Sequence, residues 1–327
     1  MRRALAALPA VLVAAAAPAA VSAAEPVTVS VGGYLHAGAG YANPVGEDED
    51  LGVFRDGEIH FKAVGTSDIG LTFRAQVELE GFTSGDQIDE NWVSVSGAFG
   101  NVLIGGADTA LNEQGGVGVV KPSGSWANYY DYDGGGNLPG EPGGFVGEDD
   151  SLGLRYWIEA FGFEVGASWQ PRVGADGGAD SNILVTSRPP LDDQFAFGGN
   201  WSGEVSDVSI RVGGGYMFND EEDFAHAGAE LGYGGLTVAG FWNVEDEFGS
   251  FEVNRYSGGA MYETGPWSFG GGAVWSDFDR GGDEEFYHLG AGYDLAPGVT
   301  LFGAVQYGED QAGRQGAGGY GWINLRF

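Results

Sequence analysis

DGEIHFKAVGTSDIGLTFRAQVELE, residues 56–80, carries the architecture of this chain in miniature. From Leu71 the letters alternate without a break. Leu71, Phe73, Ala75, Val77 and Leu79 share one parity; Thr72, Arg74, Gln76, Glu78 and Glu80 share the other. Strict period two means a strand with one apolar and one polar face. The run before it obeys the same rule, with Ile59, Phe61 and Ala63 against Glu58, His60 and Lys62. Thr66-Ser67-Asp68-Ile69-Gly70 lies between the runs and supplies turn chemistry. The stretch is therefore predicted to be an antiparallel hairpin with two charged polar faces.

The same pattern extends in both directions. Toward the N-terminus, Val29, Val31, Leu35, Ala37, Ala39 and Tyr41 oppose Ser30, Tyr34 and His36. Toward the C-terminus, 89–99 and 101–107 read as strands joined at Gly100-Asn101. Beyond residue 150, Leu152, Leu154, Tyr156 and Ile158 oppose Ser151, Arg155, Trp157 and Glu159, and Phe163, Val165, Ala167 and Trp169 oppose Glu164, Ser168 and Gln170. Nine more candidates follow at 193–203, 207–219, 222–233, 236–246, 251–264, 267–278, 283–295, 299–309 and 316–327, giving sixteen predicted strands. Helical periodicity is sustained nowhere, so the class is all-β: a sandwich, a propeller or a barrel.

Three features select a transmembrane antiparallel β-barrel over residues 25–327. Tight turns at Gly100-Asn101, Gly234-Gly235 and Gly265-Pro266 alternate with acidic connections such as Glu47-Asp48-Glu49-Asp50 and Asp220-Glu221-Glu222-Asp223. Short turns at one end and longer loops at the other are the outer-membrane arrangement. Tyr41, Trp169, Trp242, Trp267, Trp275 and Tyr293 fall near strand ends, where an interfacial girdle belongs. The polar face carries Lys62, Arg74, Glu78, Arg155, Glu164 and Arg211, which the dry interior of a soluble sandwich would not accommodate. In a membrane barrel the apolar face meets lipid and the charged face meets water. Lipid tolerates no unpaired strand edge, so the sheet must close.

One long stretch, Asp108 to Asp150, breaks the alternation. It holds eleven glycines, three prolines and eight acids against the single base Lys121, so it forms neither helix nor regular strand. Trp126, Tyr129, Tyr130 and Tyr132 give it apolar mass to pack with. It reads as a plug folded into the lumen. Residues 173–192 form a shorter polar loop.

The totals exclude several classes. Fourteen Lys and Arg face 47 Asp and Glu, a net charge of −33, so nucleic acid is not a partner. With no cysteine, there is no disulfide framework and no thiolate metal site. Residues 1–24 read as an export signal: Arg2-Arg3, an apolar run from Ala4 to Val21, then Ser22-Ala23-Ala24 as a small-residue cleavage site. Cleavage there leaves 12 bases against the same 47 acids.

The terminal strand ends Ile323-Asn324-Leu325-Arg326-Phe327, and a final Phe is similar to the assembly signal of bacterial outer-membrane barrels. The hairpin 56–80 resembles the second and third strands of general diffusion porins, above all their α-proteobacterial branch. The insertion after the fifth strand resembles that family's third loop. The resemblance implies a sixteen-stranded homotrimer in the outer membrane, in contact with lipid and lipopolysaccharide. It implies a water-filled channel for passive diffusion of small hydrophilic solutes and ions. It also implies a constriction in which loop acids face bases on the wall. The candidates are Asp108, Glu113, Asp131 and Asp133 on the loop, Lys62 and Arg74 on the early strands, and Arg155 across the barrel. The plainer alternative has these acids solvating an exposed loop and Lys62 pairing locally with Glu58. The charge surplus predicts a mild preference for cations.

Other chemistry is thinner. Asp131-Tyr-Asp133-Gly-Gly-Gly-Asn137 opens like an EF-hand loop, but Pro142 occupies the place of its bidentate acid. A looser calcium site using Asp131, Asp133, Glu148, Asp149 and Asp150 is the remaining metal candidate; no cofactor is otherwise required. The competing functions are a barrel enzyme of protease or lipase type, using His36 and His60, and a secreted acidic β-protein. No nucleophile elbow or phosphate loop supports catalysis.

Overall fold

The structure, a computed structural model, describes residues 24–43, 50–81, 88–118, 152–173, 192–219, 222–247 and 251–327. Sixteen strands run in order: β1 (Glu25–Asn43), β2 (Asp50–Thr66), β3 (Thr72–Glu80), β4 (Ile88–Gly97), β5 (Gly100–Gly106), β6 (Leu152–Ala160), β7 (Phe163–Val173), β8 (Asp192–Val205), β9 (Val208–Phe218), β10 (Glu222–Tyr233), β11 (Leu236–Glu247), β12 (Phe251–Thr264), β13 (Trp267–Phe278), β14 (Asp283–Ala296), β15 (Val299–Glu309) and β16 (Gln315–Arg326). Each pairs antiparallel with its neighbours in sequence, and β1 pairs with β16 to close the barrel. At the seam Gly33 and Phe327 exchange backbone hydrogen bonds of 3.0 and 3.1 Å, so the last residue satisfies the first strand.

Six of the seven connections at one end are two residues long. A two-residue hairpin needs a backbone that matches strand twist, which places its central residues at positive φ. Gly234 and Gly235 do so at 57° and 86°; Ser206 and Asp207 do so at 49° and 68° without glycine. At Gly265-Pro266 only the glycine is positive, at 57°, as proline's fixed ring requires. Two predicted connections differ. The β4–β5 turn is Ala98-Phe99, because Gly100, at φ 103°, already pairs with Gly97. The acidic run at 220–223 is no long loop: Glu222 opens β10, and its N–H donates to Asn219 Oδ1 at 2.9 Å.

The apolar parity faces outward. Val29, Val53, Ile104 and Leu289 are each more than half exposed, which only a lipid surround makes favourable. Trp267 stacks with Phe269 and meets Tyr293 at the turn end, while Tyr256 stacks on Trp275 toward the loop end. Trp267 and Trp275 are eight residues apart on β13, about 26 Å along a strand at ~3.3 Å per residue. At a strand tilt of about 40° that is roughly 20 Å along the membrane normal, on the order of the ~25 Å apolar band between two girdles. Among the described residues no helix is long and apolar enough to cross a membrane.

Candidate functional site: the inner wall and the loop root

After β5 the chain turns inward and crosses the polar faces of five strands. Ala107 O accepts from Gln170 Nε2 at 3.4 Å, and Asp108 O accepts from Arg155 NH1 at 2.7 Å. The Ala110 N–H donates to Ser168 Oγ at 2.9 Å. Leu111–Gly115 then makes a single π-helical turn. Leu111 is fully buried against Ala196, Met217 and Phe224 of β8, β9 and β10, a small apolar anchor on the inner wall. Asn200 Nδ2 donates to Gln114 O at 2.8 Å, and Gln114 Nε2 donates to Glu164 Oε1 at 3.2 Å. Farther on, His226 Nε2 lies 2.7 Å from Val117 O, and the Gly118 N–H donates to Glu230 Oε1 at 3.0 Å.

The wall is cut to receive this segment. Gly166, Gly198 and Gly215 stand side by side on β7, β8 and β9, and Gly213 faces Gly228 on β9 and β10. A Cβ on Gly198 would run into the carbonyl oxygen of Ala110, and one on Gly228 into that of Val117. On Gly213 it would come within 2.6 Å of a Val117 methyl. Backbone meets backbone here, and only glycine permits that approach.

The predicted constriction residues separate. Arg155 does not stand free across the lumen. It is buried at the loop root, 3.8 Å from Glu113 and 5.2 Å over the Trp157 ring. Partial burial pushes the Asp108 carboxyl above its ordinary range, Glu90 adds to this, and Arg155 opposes it. Lys62 and Arg74 lie exposed toward the short-turn end of β2 and β3, with Arg74 NH1 3.4 Å from Ser96 Oγ. No ion pair joins Lys62 to Glu58 among the described residues. Asp131, Asp133, Glu148, Asp149 and Asp150, and with them the calcium reading, lie outside the described residues, as do residues 1–23 of the export signal.

The wall of β2 to β4 is acidic instead. Glu58 faces Glu80 in register, and a shift in β3–β4 pairing between Val77 and Leu79 brings Glu78 close to Asp89 and Glu90. Gln76 Nε2 bridges Glu78 at 2.6 Å and Glu90 at 3.1 Å. His60 sits between Glu58 and Glu78, and His36 lies 3.9 Å from Asp56. The sequence pattern put Glu58, Glu78 and Glu80 on the polar face and offered Glu58 only as a local partner of Lys62; it gave no parity for Asp89 and Glu90. Register signals this grouping, and parity alone does not carry register.

The Gram-negative porin family model matches residues 4–313. No curated protein matches the sequence. Among solved structures, the anion-selective porin from Comamonas acidovorans aligns at 16% identity over 92% of this chain and 100% of its own, with a TM-score of 0.69. A substituted variant of the Rh. blastica porin aligns at 18% identity over 92% and 100%, with a TM-score of 0.63. An outer membrane protein of Vibrio cholerae lacking its eighth loop aligns at 16% identity over 92% and 99%, with a TM-score of 0.64. At these identities the likeness is one of fold.

Proposed function

The chain belongs to the Gram-negative porin family, and on that footing we propose a cation-preferring channel narrowed by the segment that follows β5. The protein is an outer-membrane barrel that passes small hydrophilic solutes by passive diffusion and catalyses no reaction. The preference rests on one observation: Glu58, Glu78, Glu80, Asp89 and Glu90 share one patch of the inner wall. Two inward bases are already committed, Arg155 to Glu113 and Arg255 to Glu245 at 2.7 Å. Low-dielectric walls focus the remaining negative field into the lumen. The Comamonas neighbour is anion-selective, but at 16% identity it lends its fold and not its charge pattern.

Reversal potentials in a potassium chloride gradient test the reading. Cation preference should fall when Asp131 and Asp133 become Asn and rise when Lys62 and Arg74 become Gln. Anion selectivity in the unmodified protein would overturn it. The preference should shrink as salt rises, since screening acts over about 10 Å at 0.1 M. We also propose a homotrimer exported with cleavage after Ala24. Unboiled gel samples should run as an oligomer whose chains begin at Glu25; a detergent-solubilised monomer at every concentration would exclude the trimer.

A further inference from the structure

We propose that Glu58, His60 and Glu78 form a binding site for a divalent transition-metal cation of the zinc type on the lumen face of β2 and β3. His60 pairs across the strands with Glu78, and Glu58 lies two residues away on the same face. One ligand atom from each lies within 4.8 Å of the other two.

A count of protons points to the metal. His60 Nε2 is 2.7 Å from Glu58 Oε2, and His60 Nδ1 is 3.1 Å from Glu78 Oε1. Carboxylates only accept hydrogen bonds, and a neutral imidazole has one N–H to give. One of the two contacts therefore sets lone pair against lone pair unless a second positive particle lies there. The 2.7 Å contact has hydrogen-bond length. The 3.1 Å contact suits two ligands of a single ion, each about 2.1 Å from it. The resulting assignment is specific. His60 donates Nε2–H to Glu58, which fixes the tautomer and turns Nδ1 toward an ion shared with Glu78.

The surroundings fit. Metal-bound histidines commonly donate their other N–H to a carboxylate that is itself held in place. Here the Tyr34 hydroxyl donates to Glu58 Oε1 at 2.6 Å, and Gln76 Nε2 donates to Glu78 Oε1 at 2.6 Å. Glu80 and Asp89 form a second trio with Glu58, also within 4.8 Å. Like charges facing across strands are destabilising, and a dication offsets them. Imidazole among the donors favours zinc over calcium, which takes oxygen ligands. His60 keeps 18% of its side chain exposed, so an ion reaches it from the lumen. The competing arrangement puts a proton where the ion would sit, carried by His60 or by a Glu78 carboxyl that donates its O–H to Nδ1, with no metal.

Calorimetric titration of the folded, detergent-solubilised protein with Zn2+ alone separates the two. The expected result is one saturable event per chain that His60→Gln abolishes, that Glu58→Gln weakens by about 10–100-fold, and that His288→Gln leaves in place. Excess Ca2+ should not displace it. A His60→Gln trace identical to that of the unmodified protein overturns the proposal, as does displacement by Ca2+. Gel mobility before boiling checks that each variant keeps its barrel. Binding is measured without conductance, so its failure leaves the channel reading standing.

Discussion

One added methyl at Gly228 tests whether the segment after β5 sets the bore. Gly228→Ala places a Cβ against the carbonyl oxygen of Val117, so the loop backbone must withdraw from β10. Withdrawal breaks the His226–Val117 contact at 2.7 Å and the Gly118–Glu230 hydrogen bond at 3.0 Å. A neutral hydrogen bond is worth a net ~0.5–1.5 kcal/mol and one to a charged group ~1.5–3 kcal/mol, so about 2–4.5 kcal/mol of anchoring is lost. At 1.4 kcal/mol per tenfold, the detached state becomes on the order of 30–1,600 times more populated. The strand ladder is untouched, because Gly228 keeps its backbone pairings with Gly213 and Phe241. In planar bilayers the variant should show larger mean conductance, more current noise and easier passage of bulky neutral sugars, with unaltered heat resistance on gels. An intact barrel with unchanged conductance and noise would mean that the loop root does not limit the channel. Gly303, which has no atom closer than 3.8 Å to an added Cβ, is the control site and should tolerate Ala silently.

Arg155→Gln should loosen the loop at its other end. It removes the 2.7 Å charge-assisted bond to Asp108 O and the pairing with Glu113, a loss of roughly 1.5–3 kcal/mol for the hydrogen bond. Noise should rise, and reversal potentials should move toward stronger cation preference as Glu113 loses its partner; a shift toward anions would contradict the assignment. A pH series on the same currents probes Asp108. Its carboxyl is held above the ordinary range chiefly by burial, so it stays neutral where exposed carboxylates have ionised. Cation preference should climb as pH rises above that ordinary range, and Asp108→Asn should flatten the climb. The linkage sign is fixed: a raised folded-state pKa stabilises the root when protonated, and that contribution is lost as pH rises through it. Opening noise should therefore grow with pH in the unmodified protein and grow less in Asp108→Asn, where Glu113, which burial also holds above its ordinary range, still titrates.

What the sequence disclosed, and what it withheld, follows from the range of each signal. Strand alternation is local and has period two, so the sixteen strands and the outward face of Val29, Ile104 and Leu289 could be read a few residues at a time. Two-residue turns are local as well, and the one misplaced turn slipped because Gly100 serves as a strand residue at positive φ. The loop's seat is not local. Gly166, Gly198, Gly215 and Gly228 look like four ordinary glycines in a chain that has 62. They become a groove only when the register of β7 to β10 sets the first three side by side and Gly228 opposite Gly213, and a groove has meaning only once 110–118 lies in it.

Charge obeys the same distinction. A net −33 forecasts the sign of the lumen field but not its source. Arg155, expected across the barrel, stands beside the loop root and not opposite it. Beyond Lys62 and Arg74, toward the loop end, β2 to β4 turn mainly carboxylates to the lumen, gathered by the Glu58–Glu80 register and the irregular step after Val77. Such a wall is stable only if water, a bound cation or shared protons neutralise it, since like charges in direct register repel. A permeating cation meets that need in passing, and an ion held at His60 would meet it permanently. The two roles separate by strand: replacing Asp108 should alter selectivity and leave Zn2+ affinity alone, whereas replacing His60 should remove the Zn2+ site and leave the sign of selectivity unchanged.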